Sequence, residues 1–159
     1  MTITLNEAIE LITLEADMLD HSEFREWLKL YTADSLYAVP IDPDAKVEDL
    51  GKILNYAYDN AEMREKRVER LLGGRSISAA PPARTVRLLS RYRMLEAGTE
   101  NCTLRCAQLL TELRQGRERY YAADVTFRLK RTEDGLRINQ KIVRLLTSTE
   151  ALTAVSYIL

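Results

Sequence analysis

The sequence predicts a single α+β domain, with three helices packed on a strongly curved, mostly antiparallel sheet that wraps round them as a cone. Three observations predict it. Apolar residues at helical spacing are concentrated in the first half of the chain. From Arg84 onward the pattern changes to period two and is punctuated by hairpin turns. The strands so marked off, about 84–97, 102–114, 118–131 and 136–147, are far longer than the typical ~5–6 residues, and such strands in a small domain bend, usually at bulges. Helices followed by consecutive antiparallel strands are the α+β order. The 159 residues, 46% hydrophobic and 30% charged, read as one domain, 1–159. That length buries roughly 68–70% of its surface without needing a disulfide or a metal.

Thr4 and Glu7 form a T-x-x-E capping box, and Ala8, Ile9, Leu11, Ile12, Ala16 and Leu19 follow at helical spacing. A first helix is predicted over about 5–20, ended by Asp20-His21-Ser22. A short second helix is predicted over about 23–31. There Phe24, Trp27, Leu28 and Tyr31 fall at i, i+3, i+4 and i+7 and turn the large aromatics toward the core. Leu36–Val39 reads as a short strand that Pro40 ends, and 40–49 as a polar loop. Ile53–Tyr58 is a second short strand with Tyr56 and Tyr58 on one side. Asp59 and Glu62 mark the start of a third helix through Met63, Lys66, Arg67, Arg70 and Leu71, stopped by Gly73 and Gly74. Residues 75–83, with Pro81 and Pro82, are a loop.

The long strands are separated by Gly98–Asn101, by Gln115-Gly116-Arg117 and by the hairpin signal Asp134-Gly135. In the first, Arg87, Leu89, Arg91 and Arg93 lie on one face, with Val86, Leu88, Tyr92 and Met94 on the other. In the third, Tyr121, Ala123, Val125, Phe127 and Leu129 share a face. In the last, Leu136, Ile138 and Ile142 share one parity and Val143 and Leu145 take the other, so a one-residue slip would restore a single apolar face. Val155–Leu159 is a candidate for a short terminal strand.

Composition excludes several chemistries. The only histidine is His21. A Rieske cluster, a two-His-one-carboxylate iron site and a two-Cys-two-His zinc site each need two. Cys102 and Cys106, four apart on a strand, are about 13 Å apart at ~3.3 Å per residue, too far to bridge. They read as reduced core thiols, which points to a cytoplasmic protein. No apolar run approaches the 18 residues of a membrane span, and the opening MTITLNEAIELI lacks the features of a signal peptide.

Charge is unevenly spread. Residues 1–62 hold 14 acidic and 4 basic groups, and residues 63–159 hold 10 acidic and 19 basic; 17 of the 23 basic residues are Arg. Acidic helices docked on a basic sheet would produce this pattern. So would arginines paired with carboxylates of another subunit, since the guanidinium suits bidentate, interfacial pairing. No basic run is interleaved with aromatics as in a nucleic-acid module.

Three blocks resemble a known family. Glu15-Ala16-Asp17-Met18-Leu19-Asp20, then Phe24 through Tyr31, Asp34, Tyr37 and Pro40, looks like the opening of the small (β) subunit of aromatic-ring-hydroxylating dioxygenases, the Rieske non-haem iron oxygenases. Arg67-Val68-Glu69-Arg70-Leu71, Pro81-Pro82-Ala83-Arg84-Thr85 and Arg87-Leu88-Leu89-Ser90 resemble its helix, loop and first long strand. Leu136-Arg137-Ile138 through Ser156-Tyr157-Ile158-Leu159 is similar to its ending. The resemblance implies a fold like nuclear transport factor 2 and scytalone dehydratase. It implies a structural subunit without catalytic or metal-binding residues, so that enzyme status belongs to the complex. The large (α) subunit would carry the Rieske [2Fe-2S] cluster and the mononuclear iron. Three large and three small subunits would assemble, served by a reductase and often a ferredoxin, to dihydroxylate an aromatic compound in a degradation pathway. Arg84, Arg87, Arg91 and Arg93, all on the first long strand, are the candidate interface residues.

Two other readings stay open on the residues alone. A free-standing lyase or isomerase would hold a carboxylate and phenols inside the cone, where burial raises a carboxyl pKa, and Asp34, Tyr37, Tyr56, Tyr58 and His21 are the available constellation. A small-ligand-binding protein would use the same Asp/Tyr pocket.

Overall fold

The computed structural model describes residues 1–73, 83–147 and 157–159. Its first helix, α1 (Leu5–Asp20), starts at the expected capping box: the Thr4 hydroxyl accepts from the Glu7 N–H and the Glu7 carboxylate accepts from the Thr4 N–H. Ala8, Leu11, Ile12, Ala16 and Leu19 are its buried stripe. The second helix, α2 (Phe24–Leu28), is shorter than predicted because the chain passes directly into strand β1 (Tyr31–Pro40). Trp27 is fully buried, with its ring 4.9 Å from that of Tyr31.

A 3₁₀ helix (Val47–Lys52) follows, inside what the sequence marks only as loop, then β2 (Asn55–Asp59) and α3 (Ala61–Gly73). The cap of α3 is Asn60, whose amide oxygen accepts the Met63 N–H at 2.9 Å, and not Asp59. Asp59 instead receives a two-pronged bond from Arg67, at 2.6 and 3.1 Å. Gly73 is the last helical residue, and the predicted stop at Gly74 and the loop through Pro82 lie outside the described residues.

Four long strands complete the sheet: β3 (Arg84–Ala97), β4 (Asn101–Arg114), β5 (Arg117–Thr132) and β6 (Gly135–Leu145). Their spatial order is β2-β1-β6-β5-β4-β3, antiparallel throughout except for the β1–β6 pair. That crossover adds the two early strands to one edge of the four-strand meander. The turn between β3 and β4 needs a glycine, since a Cβ on Gly98 would meet the Asn101 carbonyl oxygen at 2.9 Å. The turn between β4 and β5 places Gln115 and Gly116 at φ of 52° and 76°, the doubly left-handed turn that suits a twisted hairpin.

Two of the sheet's register shifts decide which side chains face the core. In β6, Leu129 pairs with Ile138 but Arg128 pairs with Gln140, so Asn139 is an extra residue. The sequence predicts a one-residue slip, but it falls at Asn139 and not between Ile142 and Val143, so it does not restore a single apolar face. Ile138 faces inward before it, and Lys141, Val143 and Leu145 face inward after it. Ile142 therefore lies on the opposite face from Ile138, where it packs with Ala38 and Leu50 in a small second core under the 3₁₀ helix. In β3, Ser90 pairs with Ala107 and Arg93 with Arg105, and Arg91 sits in the bulge at φ 54°.

The concave side of the sheet and the three helices enclose the main core, which includes the entire predicted face of β5 and both cysteines. Ion pairs that join the acidic half to the basic half follow the same seam. Asp20 pairs with Arg87, Glu15 with Lys141, Asp59 with Arg67 and Glu7 with Arg131. Three of these four pairs set an acidic group of α1 on a basic residue of the sheet. Among the described residues no helix is long and apolar enough to cross a membrane.

Candidate functional site

A buried polar network occupies the middle of the cone. Glu15 lies on the buried stripe of α1, one turn from Ile12 and Leu19, and is 1% exposed. Its carboxylate accepts from Trp27 Nε1 at 2.9 Å, from the Tyr31 hydroxyl at 2.7 Å, and from Lys141 Nζ at 2.9 and 3.0 Å. Lys141 itself is fully buried; loss of water pulls its ammonium below the ordinary lysine range, and the Glu15 carboxylate holds it up. Burial and the neighbouring Glu15 push the Tyr31 phenol far above its usual value. A carboxylate accepting four bonds from three donors has its acceptor sites occupied.

Beside this network sit residues Tyr157–Leu159. Sequence patterning makes them part of a terminal strand; they are not strand, and Val155 and Ser156 lie outside the described residues. The Leu159 N–H donates to the Tyr37 hydroxyl at 2.9 Å, and the Leu159 main-chain oxygen accepts from Gln108 Nε2 and Lys141 Nζ, both at 3.2 Å. Arg87 Nη2 donates to the Ile158 carbonyl. Burial raises the Tyr37 phenol pKa well above its ordinary value.

The residues of an Asp/Tyr pocket are not brought together. Tyr37 points into the core, whereas Tyr56 and Tyr58 are exposed on the other side of β2. Asp34 is exposed, accepting from the Thr32 hydroxyl and the Asn139 amide, which hold its carboxyl low together with nearby charge. His21 is exposed at the end of α1, its Nδ1 2.8 Å from the Asp17 carbonyl oxygen. Among the described residues no three His, Cys, Asp or Glu side chains gather as a metal site. The chain's own residues fit neither iron group, since the sole imidazole is at the surface and both thiols face packed core.

The outer face of the sheet is divided. Over β1 and β6 it is covered by the chain's own loop, which Arg144 fastens by donating to the Pro43 and Ala45 carbonyls at 3.0 and 2.6 Å. Over β3, β4 and β5 the chain lays nothing on it that the described residues show. Leu88, Leu109 and Ala122 form one cross-strand row there, and Val86, Thr111 and Tyr120 the next. Val86, Leu88 and Tyr120 are 57%, 59% and 59% exposed. Arginines rim the patch. Arg84 and Arg93 are exposed, and Arg91 reaches the Asp124 carboxylate.

Arg87 departs from the predicted set. The bulge at Arg91 separates the parity of Arg87 from that of Arg93, so Arg87 faces inward while Arg93 faces out. Its guanidinium is 2% exposed and bonds Asp20 at 2.5 Å, and its own N–H donates to the same carboxylate. Glu15, Lys141 and Gln108 escaped sequence reasoning. The available signal was one charge on each of two facing apolar stripes, opposite in sign.

A helix-filled cone of this kind defines the structural class. A solved NTF2-like protein with a cystatin-like fold from Novosphingobium aromaticivorans shares it, with a TM-score of 0.61, 19% identity, and 89% of this chain and 80% of that chain covered. The solved β subunit of benzoate 1,2-dioxygenase from Burkholderia mallei superposes more fully, with a TM-score of 0.80, 22% identity and 98% of both chains covered. In sequence, the chain is 31% identical over 139 residues to the small oxygenase component of the p-cumate 2,3-dioxygenase system of Pseudomonas putida, covering 87% of this chain and 77% of that one. Residues 14–150 match the family model of the ring hydroxylating beta subunit, and the chain belongs to that family.

Proposed function

We propose that this chain is the non-catalytic, structural subunit of a multicomponent aromatic-ring dioxygenase, and that the outer face of β3–β5, which no described residue covers, receives its large subunit. The observation that carries the reading is the contrast between the two sides of the sheet. The concave side, where a cone enzyme would hold a substrate, is occupied by Glu15, Lys141 and Tyr157–Leu159. The convex side exposes a contiguous apolar patch with an arginine rim, the composition of an interface core and its polar edge. Arg84, Arg91 and Arg93 serve at that edge, and Arg87 holds α1 to the sheet.

On this reading the Rieske cluster and the mononuclear iron reside in the large subunit. Three large and three small chains assemble in the cytoplasm and receive electrons from a reductase, with or without a ferredoxin. The complex dihydroxylates an aromatic compound. The small chain fixes the spacing of catalytic subunits across an interface of roughly 2,000–5,000 Å², the range of obligate assemblies.

The test is co-expression with a large (α) subunit of a ring-hydroxylating dioxygenase. The unaltered chain co-purifies, and oxygenase activity depends on it. Leu88→Asp combined with Arg93→Glu abolishes co-purification while circular dichroism and the Trp27 emission of the isolated chain stay unchanged. Full activity from the large subunit alone, or undiminished association of the double variant, would overturn the proposal.

A further inference from the structure

We propose that the cone is a peptide-binding site, and that residues Tyr157–Leu159 occupy it as a tethered ligand. This goes beyond the structural role proposed above and stands or falls separately from it.

The recognition chemistry is directed at a main chain. Donors and acceptors on four different strands converge on two consecutive residues: Tyr37 of β1, Arg87 of β3, Gln108 of β4 and Lys141 of β6. All four are buried, and each of these contacts goes to a backbone atom of Ile158 or Leu159. The side chains of Ile158 and Leu159 are 1% and 4% exposed and fill apolar space in the main core. Backbone bonds for position and apolar pockets for side chains are the division of labour by which proteins read extended peptides.

The site is also held in place without its occupant. Arg87 is fixed by Asp20, and Lys141 by Glu15, through bonds that do not involve residues 157–159. Withdrawal of the segment would leave Arg87, Lys141 and Gln108 each short of one acceptor. A desolvated donor without a partner is costly, so the cleft favours any occupant that returns carbonyl oxygens and aliphatic bulk together. A short peptide with two consecutive aliphatic residues meets both demands. Because Asp20 and Glu15 both belong to α1, occupancy of the cleft and the seating of α1 on the sheet are coupled.

The experiment uses the full chain carrying Ile158→Asp, which spoils the tethered occupant without altering the cleft. A fluorescent peptide of the native sequence 150–159 is titrated against it by anisotropy. Saturable binding is expected, absent from the unaltered chain at the same concentrations, with a rise in the melting temperature of the variant. Adding Gln108→Leu removes one donor and should weaken the peptide about tenfold. Amide hydrogen exchange on the unaltered chain gives a second readout if the variant does not fold. The Leu159 N–H should exchange by an opening of its own, at least about tenfold faster than the amides of Val125 and Phe127 in β5. No peptide binding to a folded variant would overturn the proposal. So would Leu159 exchange that occurs only with global unfolding, because the segment would then be core and not ligand.

Discussion

The buried pair between Glu15 and Lys141 offers a measurable account of what holds the helices inside the sheet. Glu15→Leu removes the acceptor for three donors at once: Lys141 Nζ, Trp27 Nε1 and the Tyr31 hydroxyl. An unpaired buried charge costs about 3–5 kcal/mol. For a chain of this size that corresponds to roughly 10 °C in melting temperature, at ~2–4 °C per kcal/mol. Lys141→Met costs less, about 3 kcal/mol, because Glu15 keeps the Trp27 and Tyr31 bonds. The double variant removes both charges and leaves only two neutral donors unmet, at about 1–3 kcal/mol each. It should therefore be no less stable than Glu15→Leu alone, and the two changes should fall short of additivity by about 3 kcal/mol. Urea unfolding followed by tryptophan fluorescence reads this directly, since Trp27 is the only tryptophan and touches Glu15. Costs that add to within ~0.5 kcal/mol would refute the reasoning, because uncoupled sites add and a shared ion pair does not.

Two further outcomes follow from the titrating groups. The Asp17 carbonyl and then its carboxylate raise the His21 pKa above the ordinary 6.5, so its stabilising effect is full below that value and is lost as pH rises through the folded value. The imidazole proton resonances should titrate with a midpoint above 6.5, and the advantage of the native chain over His21→Gln should disappear at high pH; a midpoint at or below 6.5 removes the basis for this. Burial pushes the Cys106 thiol up to about 11 and raises Cys102 as well, so neither should react with Ellman's reagent at about pH 8 until denaturant is added. Prompt labelling of the native chain would show that one of them is accessible.

Legibility in the sequence tracks how locally each feature is determined. The capping box of α1 needs only residues 4–7, and the turn at Gln115-Gly116 only its own backbone angles. The inward face of β5 follows from strict alternation. That β6 slips by one residue was visible as a change of parity, but the place of the slip, Asn139, was not. Nor was the first half of β1. Thr32, Ala33, Asp34 and Ser35 carry no apolar alternation, and the strand extends there because Tyr31 and Leu36–Ala38 pair with β6, more than a hundred residues away. Ile142 misled for a related reason. It is as apolar as its neighbours, but a loop from the other end of the chain buries it from outside. The β3 bulge is the instructive failure. Arg91 and Arg93 read as one face with Arg87 until one inserted residue divides them, and nothing in RLLSRYR marks where that residue falls.

That division explains why arginine count alone could not locate an interface. Arg64 and Arg87, both buried, spend their guanidinium groups inside the chain, on Asp59 and Ser35 oxygens and on Asp20. Arg67, half-buried, forks onto Asp59. What remains outside is a smaller set around Val86, Leu88 and Tyr120, and there the apolar side chains, not the charges, distinguish the surface from ordinary solvated strand. A mean exposed strand face is polar, and singly exposed apolar residues are common. Two adjacent cross-strand rows of them, on one half of a face whose other half the chain itself covers, are not. The covering loop shows what an apolar row on this sheet requires: over β6, Ile142 is sealed by Leu50 and its neighbours. The rows over β3–β5 have the same need, which the proposed interface with a large subunit would meet.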